Sequence, residues 1–180
     1  MVDQQIQVTA AQFETFLSEH PDGMYELIHG EIVEKMVTEE HGLIAANITA
    51  FIHNFLRENR IGRVVVETRY RPEGDDLNDR LPDVSFRRTD DDPVRRGPVT
   101  GMPDLAVEIK SPDDSNRQMR DTAAYYLANG CGMVWVVYPE QRMVEVYQPE
   151  ADIQILLEKD TVDGGDVLPG FQMPVAEIFA

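Results

Sequence analysis

Two apolar runs, DLAVEI at 104–109 and MVWVVY at 133–138, flank a helix-length segment, and this strand–helix–strand order constrains the fold more than any other feature. Ser115 is placed to cap a helix running to about Asn129, with Met119, Ala123, Tyr126 and Leu127 on its buried side and Gly130 as its stop. Around this core the signals are those of strands and hairpins. MYELIHGEIVEKMV (24–37) reads as two strands joined at His29-Gly30, and RMVEVYQ (142–148) returns after MVWVVY across Pro139-Glu-Gln. Further strands are expected at 62–70, 83–86, 153–157 and near 171–173, with a short helix at the end.

Two other helices are predicted. Thr9-Ala-Ala-Gln12 resembles a capping box, opening a helix through about His20. From His41 to about Asn59, Leu43, Ile44, Ile48, Phe51, Ile52 and Phe55 recur at three- and four-residue steps and form one apolar stripe. The segments 71–82 and 88–103, rich in charge, Gly and Pro, read as long loops of the kind that often carry function. The fold class is α/β with a mixed sheet, and 180 residues suit one domain spanning 1–180.

No apolar run reaches the roughly 18 residues of a membrane helix. MVDQQIQVTA lacks the basic start and apolar centre of a secretory signal, and the single cysteine, Cys131, can form no internal disulfide. These features point to a soluble protein of a reducing cytoplasm. The net charge of −17 argues against nucleic acid at first sight, since phosphate binding needs cations. Its distribution softens the objection: residues 57–120 hold thirteen of the sixteen Lys and Arg against fourteen acids, whereas the rest holds three cations against nineteen acids. Such a stretch permits a DNA-facing surface, and equally suits surface arginines paired with nearby Asp.

The strand at 104–110 alternates its faces, so Leu105, Val107 and Ile109 point one way and Ala106, Glu108 and Lys110 the other. Asp83 opens a second short strand directly after Pro82. If the two strands are neighbours, Asp83 and Glu108 converge near a sheet end, and two hard oxygen ligands with waters suit Mg²⁺ or Mn²⁺ better than zinc. Lys110, about 6.6 Å beyond Glu108 on the same face, would stand beside that ion. Spacing alone leaves open a solvent-facing Glu–Lys pair on an ordinary sheet.

The linked set LPDVSF (81–86), DLAVEIKSPDD (104–114) and GCGMVWVVYP (130–139), preceded by YELIHGEIVEKM and His41, strongly resembles the Uma-two family, restriction-endonuclease-like proteins of the PD-(D/E)XK nuclease superfamily. The resemblance covers most of the chain. It implies a restriction-endonuclease-like core sheet with flanking helices and an N-terminal β-hairpin, with Asp83 and Glu108 as metal ligands joined by the backbone carbonyl of Ile109. Many family members place a lysine on the helix, four residues before its tyrosine. Alignment on Tyr126 and Gly130 puts Thr122 there, and a lysine stands instead at the superfamily's strand position, Lys110. The superfamily often adds an acid from its N-terminal region, which makes Glu31 a further candidate alongside Glu26. His41 is a possible base or substrate contact, although a helix-start histidine is more often a local hydrogen-bond partner. Trp135 and Tyr126 read as core residues rather than base-stacking platforms.

The resulting expectation is a Mg²⁺- or Mn²⁺-dependent endonuclease hydrolysing phosphodiester bonds in duplex DNA, with Lys110 orienting or activating water and two-fold symmetry of a homodimer matching the duplex. A catalytically silent binding module on a nuclease scaffold is the alternative, and a nuclease acting on RNA or single strands is a third reading.

Overall fold

The computed structural model describes residues 7–180; residues 1–6 of the segment read above for a secretory signal lie outside the described residues. Helix α1 (Ala10–Glu19) begins at the expected capping box, with the Gln12 amide donating to Thr9 Oγ1 and the Thr9 amide to Gln12 Oε1. Strands β1 (Tyr25–Ile28) and β2 (Glu31–Glu34) form the N-terminal hairpin. Its turn sets His29 at φ 52° and Gly30 at φ 80°, the left-handed pair that a two-residue hairpin needs. A Cβ at position 30 would also lie 2.7 Å from that of Gln7.

Thr38 caps α2 (Glu39–Glu58) by accepting from the His41 amide. There follow β3 (Arg63–Val66), β4 (Tyr70–Arg71), β5 (Val84–Arg87), β6 (Val99–Thr100) and β7 (Leu105–Ile109). Helix α3 (Asn116–Ala128) starts at a Ser115–Gln118 capping box and leads to β8 (Met133–Tyr138). The chain ends through β9 (Met143–Tyr147), β10 (Gln154–Leu157), β11 (Thr161–Asp163), β12 (Gln172–Pro174) and α4 (Val175–Ile178).

One six-stranded sheet, in the order β10-β9-β8-β7-β5-β3, organises the fold. Within this sheet β7 and β8 pair in parallel, because α3 carries the chain back across the sheet between them, and its other neighbours are antiparallel. On one face Val84, Phe86, Leu105, Val107, Trp135 and Val137 pack with Ile44, Ile48, Ile52 and Leu56 of α2. On the other, Ala106, Val134, Val136 and Tyr138 lie under Met119, Ala123 and Tyr126 of α3. A mixed sheet between helices is the α/β arrangement expected. Trp135 and Tyr126 are fully buried, as core residues.

Three differences from the expected elements have local causes. The strand predicted at 62–70 stops at Val66, where Glu67 takes a φ of 46° and turns the chain, and Tyr70-Arg71 instead pairs with β6. In α2, Leu43 is exposed, because the sheet contacts the Ile44–Ile48–Ile52 row and that row ends in Leu56. The segment read as a loop at 71–82 is largely interior over 78–82, with Asp79 wholly buried. It is stitched to the hairpin: Leu27 and Asp79 exchange amide–carbonyl bonds at 2.8 and 2.9 Å, and the Gly30 amide donates to the Leu77 carbonyl. Asp79 earns its burial by binding Arg69 and Arg71, which also share Glu14 of α1. No helix among the described residues is long and apolar enough to cross a membrane.

Candidate active site

Strand register brings the two predicted acids together. Val84 of β5 lies opposite Val107 of β7, so one step further along the antiparallel ladder Asp83 faces Glu108. Directly opposed residues share a face with their Cβ atoms about 5 Å apart. Both carboxylates are buried, Asp83 3% and Glu108 6% exposed, at the end of the sheet where the chain leaves β7.

Each acid has one oxygen tied to protein donors. Asp83 Oδ2 accepts from the Ile109 amide at 2.7 Å and lies 3.1 Å from His41 Nε2. Glu108 Oε1 accepts from the Tyr126 hydroxyl at 2.8 Å, so the α3 tyrosine orients the β7 acid. The remaining oxygens, Asp83 Oδ1 and Glu108 Oε2, both point at a single cation, the Lys35 ammonium, at 2.8 and 3.2 Å. The third Lys35 hydrogen bond goes to the Leu81 carbonyl at 2.7 Å.

Lys35 arrives from the residue after β2, where its amide donates to the Met24 carbonyl across the base of the hairpin. The hairpin is anchored on the other side by Glu26, whose carboxylate accepts from the Leu81 amide at 2.7 Å. Hairpin, β5 approach and β7 therefore meet at one point. The electrostatics follow from that crowding. Burial pushes the Glu108 carboxyl up, to about 7, with Asp83 and Glu26 adding to the rise and Lys35 opposing it. For Asp83, burial acts upward but is outweighed by Lys35 and His41, which hold it below the usual carboxylate range. Burial works against the Lys35 charge, yet Glu108, Asp83 and Glu26 more than compensate, so it remains an ammonium.

The site opens into a cavity of about 210 Å³ lined by Glu26, Glu34, Glu108, Asp113, Asp114 and, as its one ammonium, Lys35. Thr122 lines the same cavity and accepts from the Arg80 guanidinium at 3.3 Å. Of the residues singled out in the sequence, the structure brings together Asp83, Glu108, the Ile109 backbone and His41. Lys110 takes a different place. Strand β7 ends at Ile109, the chain turns at Ser111-Pro112, and the Lys110 ammonium donates to the Ser111 carbonyl at 3.1 Å in an adjoining cavity of about 80 Å³. His41 and Ser111 line both cavities and form the wall between them. Glu31 sits exposed at the turn end of the hairpin, opposite Ile28, and it is Glu26 that lines the cavity.

Lys35 went unrecognised in the sequence, although a signal was present: it is the only Lys or Arg in the first 56 residues, within the acidic stretch EIVEKMVTEE. The arginine-rich stretch also reads differently in three dimensions. At least seven of its twelve arginines are committed within the chain, among them Arg69 and Arg71 to Asp79, Arg80 to the Tyr125 and Tyr126 rings, Arg88 to the Asp166 and Val167 carbonyls, and Arg120 to Glu145. Arg63 and Arg117 bind the Asp91 carbonyl and Asp121.

The donor set can be tested against a divalent cation. Among the described residues, no three His, Cys, Asp or Glu side chains surround a common point as a metal cage. Two convergent carboxylate oxygens and a backbone carbonyl nevertheless suit Mg²⁺, which keeps several waters and needs only one or two carboxylates from protein. Glu108, raised by burial and then by the neighbouring Asp83 and Glu26 carboxylates, is the kind of group that such an ion relieves.

A family model, Uma2, described as "Putative restriction endonuclease", matches residues 10–176. The chain is similar to the crystal structure of "a putative nuclease belonging to DUF820 from Anabaena variabilis", with a TM-score of 0.80 over 96% of this chain and 97% of that one at 22% identity, which is a likeness of fold. No curated protein matches it.

Proposed function

This chain belongs to the Uma2 family, and from that premise we propose that it is a divalent-metal-dependent nuclease hydrolysing phosphodiester bonds in DNA. The observation that carries the reading is the convergence of Asp83 Oδ1 and Glu108 Oε2 on one cationic point at the sheet end. Asp83 and Glu108 would hold Mg²⁺ or Mn²⁺, with the Ile109 carbonyl as a further ligand by the superfamily's pattern. A divalent ion there supplies Lewis-acid polarisation of a phosphoryl oxygen and acidification of water. Tyr126 and the Ile109 amide fix the two carboxylates from behind, so that neither has to be reoriented during reaction.

Lys35 is the amine beside the acids in this reading, the role expected of Lys110. Its ammonium draws in the scissile phosphate and stabilises the charge that builds on it as the water oxygen bonds to phosphorus, the bond to the sugar oxygen breaks and that oxygen takes up a proton. Lys110, which lines the adjoining cavity, would meet a neighbouring phosphate of the same strand in this reading. The acidic lining of the larger cavity favours entry of the ion before the polyanion.

Incubation with supercoiled plasmid and Mg²⁺ or Mn²⁺ tests the reading. Cleavage should appear with the wild type and vanish in Asp83→Asn and Glu108→Gln. Nicking that persists in both variants would refute it, and folded protein with no metal-dependent cleavage of plasmid, single strands or RNA would leave the binding-module reading.

A further inference from the structure

Asp83 and Glu108 have little freedom in which oxygens they can offer a ligand. Asp83 Oδ2 is taken by the Ile109 amide and His41, and Glu108 Oε1 by the Tyr126 hydroxyl. The two oxygens left over are those bound to Lys35, whose third hydrogen bond takes the Leu81 carbonyl. Three oxygens therefore surround the ammonium at 2.7 to 3.2 Å, and an all-oxygen half-cage of this kind is what a hard cation seeks. The Lys35 side chain is itself 16% exposed and reaches the site along the wall of the open cavity, so it has somewhere to go. The other acids of the lining would receive it there, at the mouth through which a substrate phosphate must pass.

We propose that Lys35 is a built-in counter-ion which a divalent cation must displace from Asp83 Oδ1, Glu108 Oε2 and the Leu81 carbonyl, and that the displaced ammonium then serves the substrate phosphate. Ion and ammonium exclude each other because they claim the same oxygens and carry like charge. Lys35 keeps the two buried acids compensated while no ion is bound, and lowers the affinity for the ion as a consequence. This rests on the metal-dependent reading above. It departs from it in assigning one side chain two successive positions, and in making the Leu81 carbonyl part of the ion's surroundings.

Binding of Mn²⁺ to the full chain without nucleic acid, followed by the paramagnetic resonance signal of the free ion, tests this directly. Lys35→Met and Lys35→Gln should each bind Mn²⁺ about tenfold more tightly than the wild type or better, a free-energy difference of about 1.4 kcal/mol. The same variants should cleave plasmid more slowly at saturating Mn²⁺. A side chain with only a structural role would loosen the site and weaken both, so tighter binding with slower cleavage is the signature. The glutamine variant keeps a donor for the Leu81 carbonyl and guards against simple loss of folding. If the wild type binds Mn²⁺ in an Asp83-dependent way while both variants bind it equally or more weakly, the exchange is overturned and the metal site stands. If none of the three proteins binds Mn²⁺ at millimolar concentration, the exchange falls together with the metal site.

Discussion

Glu108→Gln should change how stability depends on pH, and the size of the change follows from the burial of this acid. In the folded protein the carboxyl titrates near 7, against an ordinary value of 4.5. A carboxyl raised on folding binds its proton more tightly in the native state. Its contribution is therefore fully present below about pH 4.5 and is lost as pH rises through the folded value. A gap of about 2.5 units corresponds to roughly 3 kcal/mol. Asp83 shifts the other way, and its stabilisation is lost only as pH falls below this window, so it does not set the slope within it. The glutamine can still accept from Tyr126 through its amide oxygen, which turns its NH2 toward the Lys35 ammonium; that lost contact offsets the absolute stability, so the pH dependence alone carries the comparison.

Urea unfolding of both proteins between about pH 5 and pH 8, with a chelator present, provides the assay. The stability of the wild type relative to Glu108→Gln should fall by about 2.5 kcal/mol across that range, most steeply between about pH 5 and pH 6.5, where the unfolded chain has lost the proton and the native protein still holds it. Stability curves that run parallel would show that Glu108 titrates in the native protein as it does in the unfolded chain. The electrostatic account of the site would then be wrong.

Further outcomes can be stated for other parts of the molecule. Tyr126→Phe removes the donor to Glu108 Oε1, and should cost about 1–3 kcal/mol in urea unfolding while moving the Glu108 titration further upward. Asp79→Ala leaves the half-buried Arg69 and Arg71 without their shared acid and should destabilise by about 3–5 kcal/mol, whereas Glu14→Ala, at the exposed end of the same network, should cost under about 1 kcal/mol. Ile48→Ala should lose about 2–5 kcal/mol and Leu43→Ala less than about 0.5 kcal/mol by thermal or urea denaturation; equal losses would mean that α2 presents a different face to the sheet.

Much of the architecture was legible in the sequence, because it rests on local signals. The capping box at Thr9, the Ser115 cap, the His29-Gly30 turn and the apolar runs of β7 and β8 depend on neighbours a few residues away, so periodicity and turn chemistry locate them. Asp83 and Glu108 stood out because each lies in a short apolar strand where a charge is conspicuous. Chain order alone says nothing about which cation crosses to them. Lys110 looks right by strand alternation, yet β7 ends before it and its ammonium turns to Ser111; Lys35, 48 residues before Asp83, is delivered by the way the hairpin docks on 77–83.

The sequence by itself determined most of the elements and their order, since these follow from short-range stereochemistry and from where apolar side chains cannot face water, and it singled out Asp83 and Glu108 as candidates through strand spacing and family resemblance. Only the tertiary structure decided the register that opposes Asp83 to Glu108, the interior placement of 78–82 and the commitment of the arginines within the chain. The physical reason is that a buried charge takes the partner that docking brings within hydrogen-bond reach, whatever the number of residues between them.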